Sequence, residues 1–163
     1  MGVRIAVINR SSLVSAGDVS RVAGALSTQV ADDYSPVWGL EAEIAVAEPG
    51  ALPASVWQLV ILDDSDQANA LGYHELTKSG APLGKVFVRS VRDSGGEWSV
   101  AASHELLEMM APSIQTPEPQ GKARGIQCQA EIYKLTLRAA NAEIGHKLHQ
   151  PHRLADVRCG RGV

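Results

Sequence analysis

GKVFVRSVRDSGGEWSVAASHELLEMMA, residues 84–111, is the stretch on which the reading of this chain turns. Its first part, Gly84–Arg89, is a short apolar run bounded by turn residues, the pattern of a strand. Asp93–Gly96 reads as a turn, and Trp98–Ala111 as a helix that Pro112 brings to an end. Within that helix stands His104-Glu105-Leu106-Leu107-Glu108. Residues four apart share a helix face, so His104 and Glu108 point the same way, with Glu105 beside them. Val100, Ala101, Leu107 and Ala111 surround the motif with apolar or small side chains, so the helix reads as mostly buried. Buried charges are paired or bind metal, and three ionisable residues on such a helix need one explanation or the other.

Zinc chemistry supplies one. The metalloprotease motif His-Glu-x-x-His places two imidazoles at i and i+4, with the intervening Glu as general base. Here the second position is Glu108, which can serve as an oxygen ligand to zinc. A catalytic zinc needs three protein ligands and an open position for water, and Glu105 would take the proton of that water. The same spacing also arises on charged amphipathic helices whose His and Glu are merely solvated, so spacing alone leaves both readings standing.

Outward from this segment the chain alternates elements. Val3–Ile8 is a β-branched apolar run, read as a buried strand; Asn9 and Arg10 stop it well short of a signal peptide's hydrophobic region. Val19, Val22, Ala23, Leu26 and Val30 recur at helical spacing from Asp18, which favours the helix N-terminus. Pro36 predicts the end of that helix near Tyr34. Ala42–Ala47 and Val56–Leu62 read as strands, and Gln67–Pro82 as a loop that contains Gly72-Tyr73-His74. The expected order is strand, helix, strand, strand, loop, strand, helix: a mixed α/β (α+β) domain with a small mixed sheet, an N-terminal helix and a metal-site helix. It spans residues 1–111; residues 112–163, with Pro112, Pro117, Pro119 and Gly121, read as a divergent, loosely packed tail, in which Glu131–Lys147 could be helical.

Composition narrows the function classes. Hydrophobic residues make up 45% and charged residues 20% of the chain, as in globular domains. The formal net charge is −3 and no Lys or Arg block exists, which argues against nucleic acid or a charged membrane surface as partner. No stretch approaches the ~20 apolar residues of a membrane span. Cys128 and Cys159 make neither a disulfide framework nor a Cys-x-x-Cys pair, which fits a reduced, bacterial-type cytoplasm. Phosphate-binding glycine motifs are absent after the first strand, and that disfavours a nucleotide fold.

Three segments together carry a resemblance. Asn69–His74, then Gly84–Val88, then Ser99–Met109 resemble, in order and content, a bacterial and phage zincin-like family of metallopeptidase-like proteins. Its members carry a His-Glu-x-x-Glu helix preceded by a Gly-Tyr-His loop and an edge strand. The resemblance covers roughly Leu62–Ala111. It implies a zincin-like fold, a zinc ion, and a peptide or protein substrate laid in extended form along the strand that precedes the helix. Similar sequences follow the motif with Asp-Pro, the Asp being a further ligand; here Ala111 holds that place.

The third ligand is therefore sought elsewhere. His74 lies in the Gly-Tyr-His segment and joins His104 and Glu108 as the metal set, with Glu105 as base; as a loop residue His74 could equally be a hydrogen-bonded turn histidine. His146, His149 and His152 read as a solvated run, and Asp63, Asp64 and Asp66 as a strand-end turn with local hydrogen bonds. The leading reading is a zinc-dependent, peptidase-like hydrolase. The competing one is a non-catalytic zincin-like α/β domain that keeps the scaffold without a complete metal site.

Overall fold

The computed structural model describes residues 2–111. The helix expected over Glu131–Lys147, the His146, His149 and His152 run and both cysteines lie outside the described residues. Five strands form one sheet: β1 (Gly2–Asn9), β2 (Glu41–Ala47), β3 (Trp57–Leu62), β4 (Gly72–Leu76) and β5 (Pro82–Phe87), in the spatial order β2-β1-β3-β5-β4. β1 runs parallel to β2 and β3, β3 parallel to β5, and β4 antiparallel to β5. Strands inside a parallel sheet are covered on both faces and read as continuous apolar runs. That is why β1 and β3 are legible without alternation. Ile5, Val7, Leu59, Ile61 and Val86 face the main core, while Ala6, Ile8, Val56 and Val60 form a smaller cluster on the other side.

Helix α1 (Ala16–Gln29) starts with a capping box: Ser15 Oγ accepts from the Asp18 amide at 3.1 Å, and the Asp18 carboxylate reaches back to the Ser15 amide. Its Val19, Val22, Ala23 and Leu26 are buried against the sheet. The helix does not stop near Tyr34. It passes through a π-helical turn, Val30–Tyr34, into the single turn α2 (Ser35–Trp38). The π-helical turn starts a fresh helical segment, and Pro36 occupies its first positions, where a missing N–H costs nothing. Helices α3 (Val88–Asp93) and α4 (Trp98–Met110) follow β5. The strand expected to run to Arg89 thus ends at Phe87, and Val88 and Arg89 belong to α3.

The segment Gln67–Pro82 is the larger correction. Gly72–Leu76 within it is strand β4, paired along its length with β5, from Gly72 opposite Val86 to Leu76 opposite Pro82. Consequently, among the described residues, β4 and not β5 is the edge strand; β5 lies inside the sheet between β3 and β4. The signal is weak because the residues of β4 that face α4 include Gly72 and His74, so no apolar alternation marks the strand.

Helix α4 packs across β5 and β4, with Leu106, Leu107, Met109 and Met110 fully buried. Two glycines permit the close approach. A Cβ at Gly84 would stand 3.0 Å from both Leu59 Cδ1 and Met109 Sδ, and one at Gly72 would stand 2.7 Å from Glu105 Oε1 and 2.8 Å from the Lys85 carbonyl. Helix α4 is also tied to α1 and to the π-helical turn, which share its core. Ser103 Oγ donates to Gln29 Oε1 at 2.8 Å, and the buried Tyr34 hydroxyl donates to the Met110 carbonyl at 2.6 Å. Met110 ends α4, where carbonyls lack helical partners, so Tyr34 satisfies one of them. Tyr34→Phe leaves that carbonyl without its hydroxyl donor, and the expected cost is about 1–3 kcal/mol in urea unfolding. A variant as stable as the wild type would show that the end of α4 does not depend on this bond.

Candidate metal centre

Strand alternation and helix periodicity meet at the seam between β4 and α4. Successive strand side chains point to opposite faces, so Gly72 and His74 turn toward α4 while Tyr73 and Glu75 turn away. On the far face Lys85 Nζ lies 2.9 Å from Asp66 and 3.1 Å from Glu75, and also donates to the Tyr73 hydroxyl. These contacts hold the Lys85 ammonium well above its ordinary range, with the Tyr73 hydroxyl the main cause. They fasten β4 to β5 from behind the seam.

On α4, Glu105 and Glu108 are three residues apart and His104 and Glu108 four apart, spacings that share one helix face. All four expected site residues come together. His74 Nδ1 stands 3.0 Å from Glu108 Oε2 and 3.4 Å from Glu105 Oε2, and His104 Nε2 stands 3.3 Å from Glu108 Oε1. The side chains form a gradient of depth: Glu105 is 7% exposed, Glu108 20%, His74 28% and His104 35%. His74 and both carboxylates each offer a ligand atom, and these atoms lie within 4.8 Å of one another. His74, Glu105 and Glu108 therefore form a group that could hold a metal ion. Glu105, expected as the base, belongs to that group, and His104 adjoins it through Glu108.

The polar bonding of the group is incomplete in a telling way. His74 Nδ1 and Glu105 Oε2 are buried and make no hydrogen bond, although they lie close to each other. Their contacts are charge contacts: Nδ1 stands 3.0 Å from Glu108 Oε2 and 3.4 Å from Glu105 Oε2. Leaving a buried polar atom without a partner is expensive, and a carboxylate more so. A cation among these atoms would satisfy both at once, so the donor set fits a divalent metal.

The charges respond to one another. The carboxylates of Glu105 and Glu108 raise His74 to about 9, against the opposing pull of burial. His104 is also raised, chiefly by Glu108. Burial pushes Glu108 up, but the two imidazoles outweigh it and hold the carboxyl at about 2.

The Asp63, Asp64 and Asp66 turn has other partners. Asp63 accepts from Ser11 Oγ at 2.5 Å, Ser12 Oγ at 2.7 Å and the amides of Ser12 and Leu13, which hold it down to about 2. Asp64 pairs with Arg89 at 2.7 Å, and Asp66 pairs with Lys85 and accepts from Tyr73. Sequence patterning does not expose Gly72 as part of the site. Its role is clearance for the Glu105 carboxylate, a property of the packed seam alone. Among the described residues no helix is long and apolar enough to cross a membrane.

No family model and no curated protein sequence matches the chain. A chain in the solved GM1-bound form of the ECX AB5 holotoxin is similar at 13% identity and a TM-score of 0.38, over 68% of this chain. The match covers 51% of that chain, so this protein spans about half its length. The likeness is a distant one.

Because the carboxylates of Glu105 and Glu108 hold His74 up at about 9, its stabilising contribution is present below its ordinary value of 6.5 and is lost as pH rises through 9. A metal must displace that proton, so affinity should move the opposite way. Zinc titrations between pH 6.5 and 8.5 should show apparent affinity rising about tenfold per pH unit, while chelator-treated protein loses thermal stability toward pH 9. Affinity and stability that are both flat over this interval would contradict the ligand role of His74.

Proposed function

We propose that the protein is a zinc-dependent hydrolase of peptide-like substrates, with a zincin-like arrangement of edge strand and motif helix. The observation that carries the reading is the convergence of His74 Nδ1, Glu105 Oε2 and Glu108 Oε2 at the β4–α4 seam, two of them buried without hydrogen bonds. Zinc accepts this mixture of imidazole nitrogen and carboxylate oxygen. When bound, a zinc ion lowers the pKa of water to about 7 and polarises a carbonyl.

The chain's own residues supply the rest. Three of the four ionisable side chains suffice to hold the ion, leaving the fourth to orient a ligand or to accept a proton. β4 is an edge strand that pairs with β5 on one side. An extended peptide adding to its outer edge would pass beside His74, with backbone hydrogen bonds fixing its register. Leu71, just before β4, and Leu76, at its end, are 38% and 53% exposed and offer apolar contacts at the two ends of such a peptide's path. The His-Glu-x-x-Glu spacing and the zincin-like resemblance of Leu62–Ala111 support the same reading.

Glu108 faces both imidazoles and is the residue to remove. Purified wild-type protein should bind zinc near one equivalent, Glu108→Gln should lose most of it, and zinc-loaded wild type should cleave members of a broad peptide panel that chelated protein does not. Equal zinc in wild type and Glu108→Gln would sink the metal site. Zinc binding with no cleavage across the panel would favour the non-catalytic α/β domain.

A further inference from the structure

Four ionisable side chains crowd a site whose metal needs three from the protein, and their geometry divides them. We propose that Glu105 is a metal ligand and that His104 is not: His104 is a positioning residue that holds the Glu108 carboxylate from its solvent side. The proposal rests on the metal-site reading and reverses the roles that the motif order assigns to these two neighbours.

Depth is the first ground. Glu105 is the deepest of the four side chains, 7% exposed, and its Oε2 makes no hydrogen bond. A base that exchanges protons with a substrate's water needs a route to it, whereas a buried carboxylate oxygen that makes no hydrogen bond and faces the His74 nitrogen at 3.4 Å is placed to meet a positive charge. Clearance is the second. The β4 backbone has no side chain at Gly72, where a Cβ would stand 2.7 Å from Glu105 Oε1 and 2.9 Å from its Cγ. Oε1 is thus packed against the strand, and Oε2 turns into the group with His74 Nδ1 and Glu108 Oε2. Glu105 and Glu108, three apart, present their oxygens to one point from one helix turn, as i and i+3 ligand pairs do in helical metal sites.

His104 lies on the other side of Glu108. Its Nε2 meets Oε1 at 3.3 Å, the oxygen opposite the one that faces His74, and at 35% its side chain is the most exposed of the four. A group that engages the free oxygen of a ligating carboxylate fixes that ligand's orientation without touching the metal, and losing such a partner typically weakens metal binding about 10–100-fold.

Zinc affinity, measured by competition with a chelating indicator, separates the roles without reference to activity. His104→Ala should bind zinc about 10–100-fold more weakly than wild type. His104→Gln, whose amide can still donate to Glu108 Oε1 across one helical turn, should recover most of that loss. Glu105→Gln should lose more than His104→Ala. Glu105→Gln near wild type, with His104→Gln as weak as His104→Ala, would overturn the proposal while leaving the metal site intact. A wild-type protein that binds no zinc would overturn the metal reading and this proposal together. Because a variant can fail through its fold, wild-type protein labelled with nitrogen-15 histidine gives a second readout. On zinc addition the His74 ring should take the shift of a ligated nitrogen while His104 Nε2 keeps its proton; a ligated His104 nitrogen would overturn the proposal.

Discussion

Two carboxylates held on a buried helix beside an edge strand set the terms for everything around them. Glu105 and Glu108 cannot both sit at this depth as isolated anions, because burial penalises charge steeply. The surroundings answer that cost in three ways. His74 comes from β4 and His104 from the same helix face, each bringing an imidazole against a carboxylate. Gly72 removes a side chain where the Glu105 carboxylate needs room. The remaining deficit, a buried nitrogen and a buried oxygen without hydrogen bonds, is of the kind a cation fills.

The fold supplies the rigidity that this arrangement requires. Metal ligands have to be held closely, and sites built on helices and strands hold them better than sites on loops. Here one candidate ligand, His74, comes from a strand and two, Glu105 and Glu108, from a helix. Strand β4 is locked to β5 by its ladder and, from behind, by Lys85 with Asp66, Tyr73 and Glu75. Helix α4 is seated by Leu106, Leu107, Met109 and Met110, its middle is tied to α1 through Ser103 and Gln29, and its far end to the π-helical turn through Tyr34. Among the described residues β4 pairs on one side alone, so the site stands at a firmly built sheet edge.

Much of this was legible in the sequence, for identifiable reasons. β1 and β3 announce themselves because parallel strands buried on both faces are apolar without interruption. Helix α1 shows its 3.6-residue period because one face alone is buried. The grouping of His104, Glu105 and Glu108 follows from helix geometry, and His74 came in through the resemblance. β4 stayed hidden because its inward face holds a glycine and a histidine, the residues the site needs and a hydrophobic pattern ignores. The continuation past Tyr34 escaped because Pro36 reads as a stop, whereas a π-helical turn makes it a beginning. Which of Glu105 and His104 lies deeper was out of reach for a different reason. Neighbours on a helix differ by 100° in direction, and only packing against β4 decides which of them turns inward.

The central claim is that the β4–α4 seam is a metal site built from His74, Glu105 and Glu108. Anomalous diffraction at the zinc absorption edge from crystals of the zinc-loaded protein tests it most directly. The account predicts one strong peak at the seam, about 2.0–2.2 Å from His74 Nδ1 and from a carboxylate oxygen of each of Glu105 and Glu108. A seam without a peak, with zinc located elsewhere on the chain or nowhere, would contradict it.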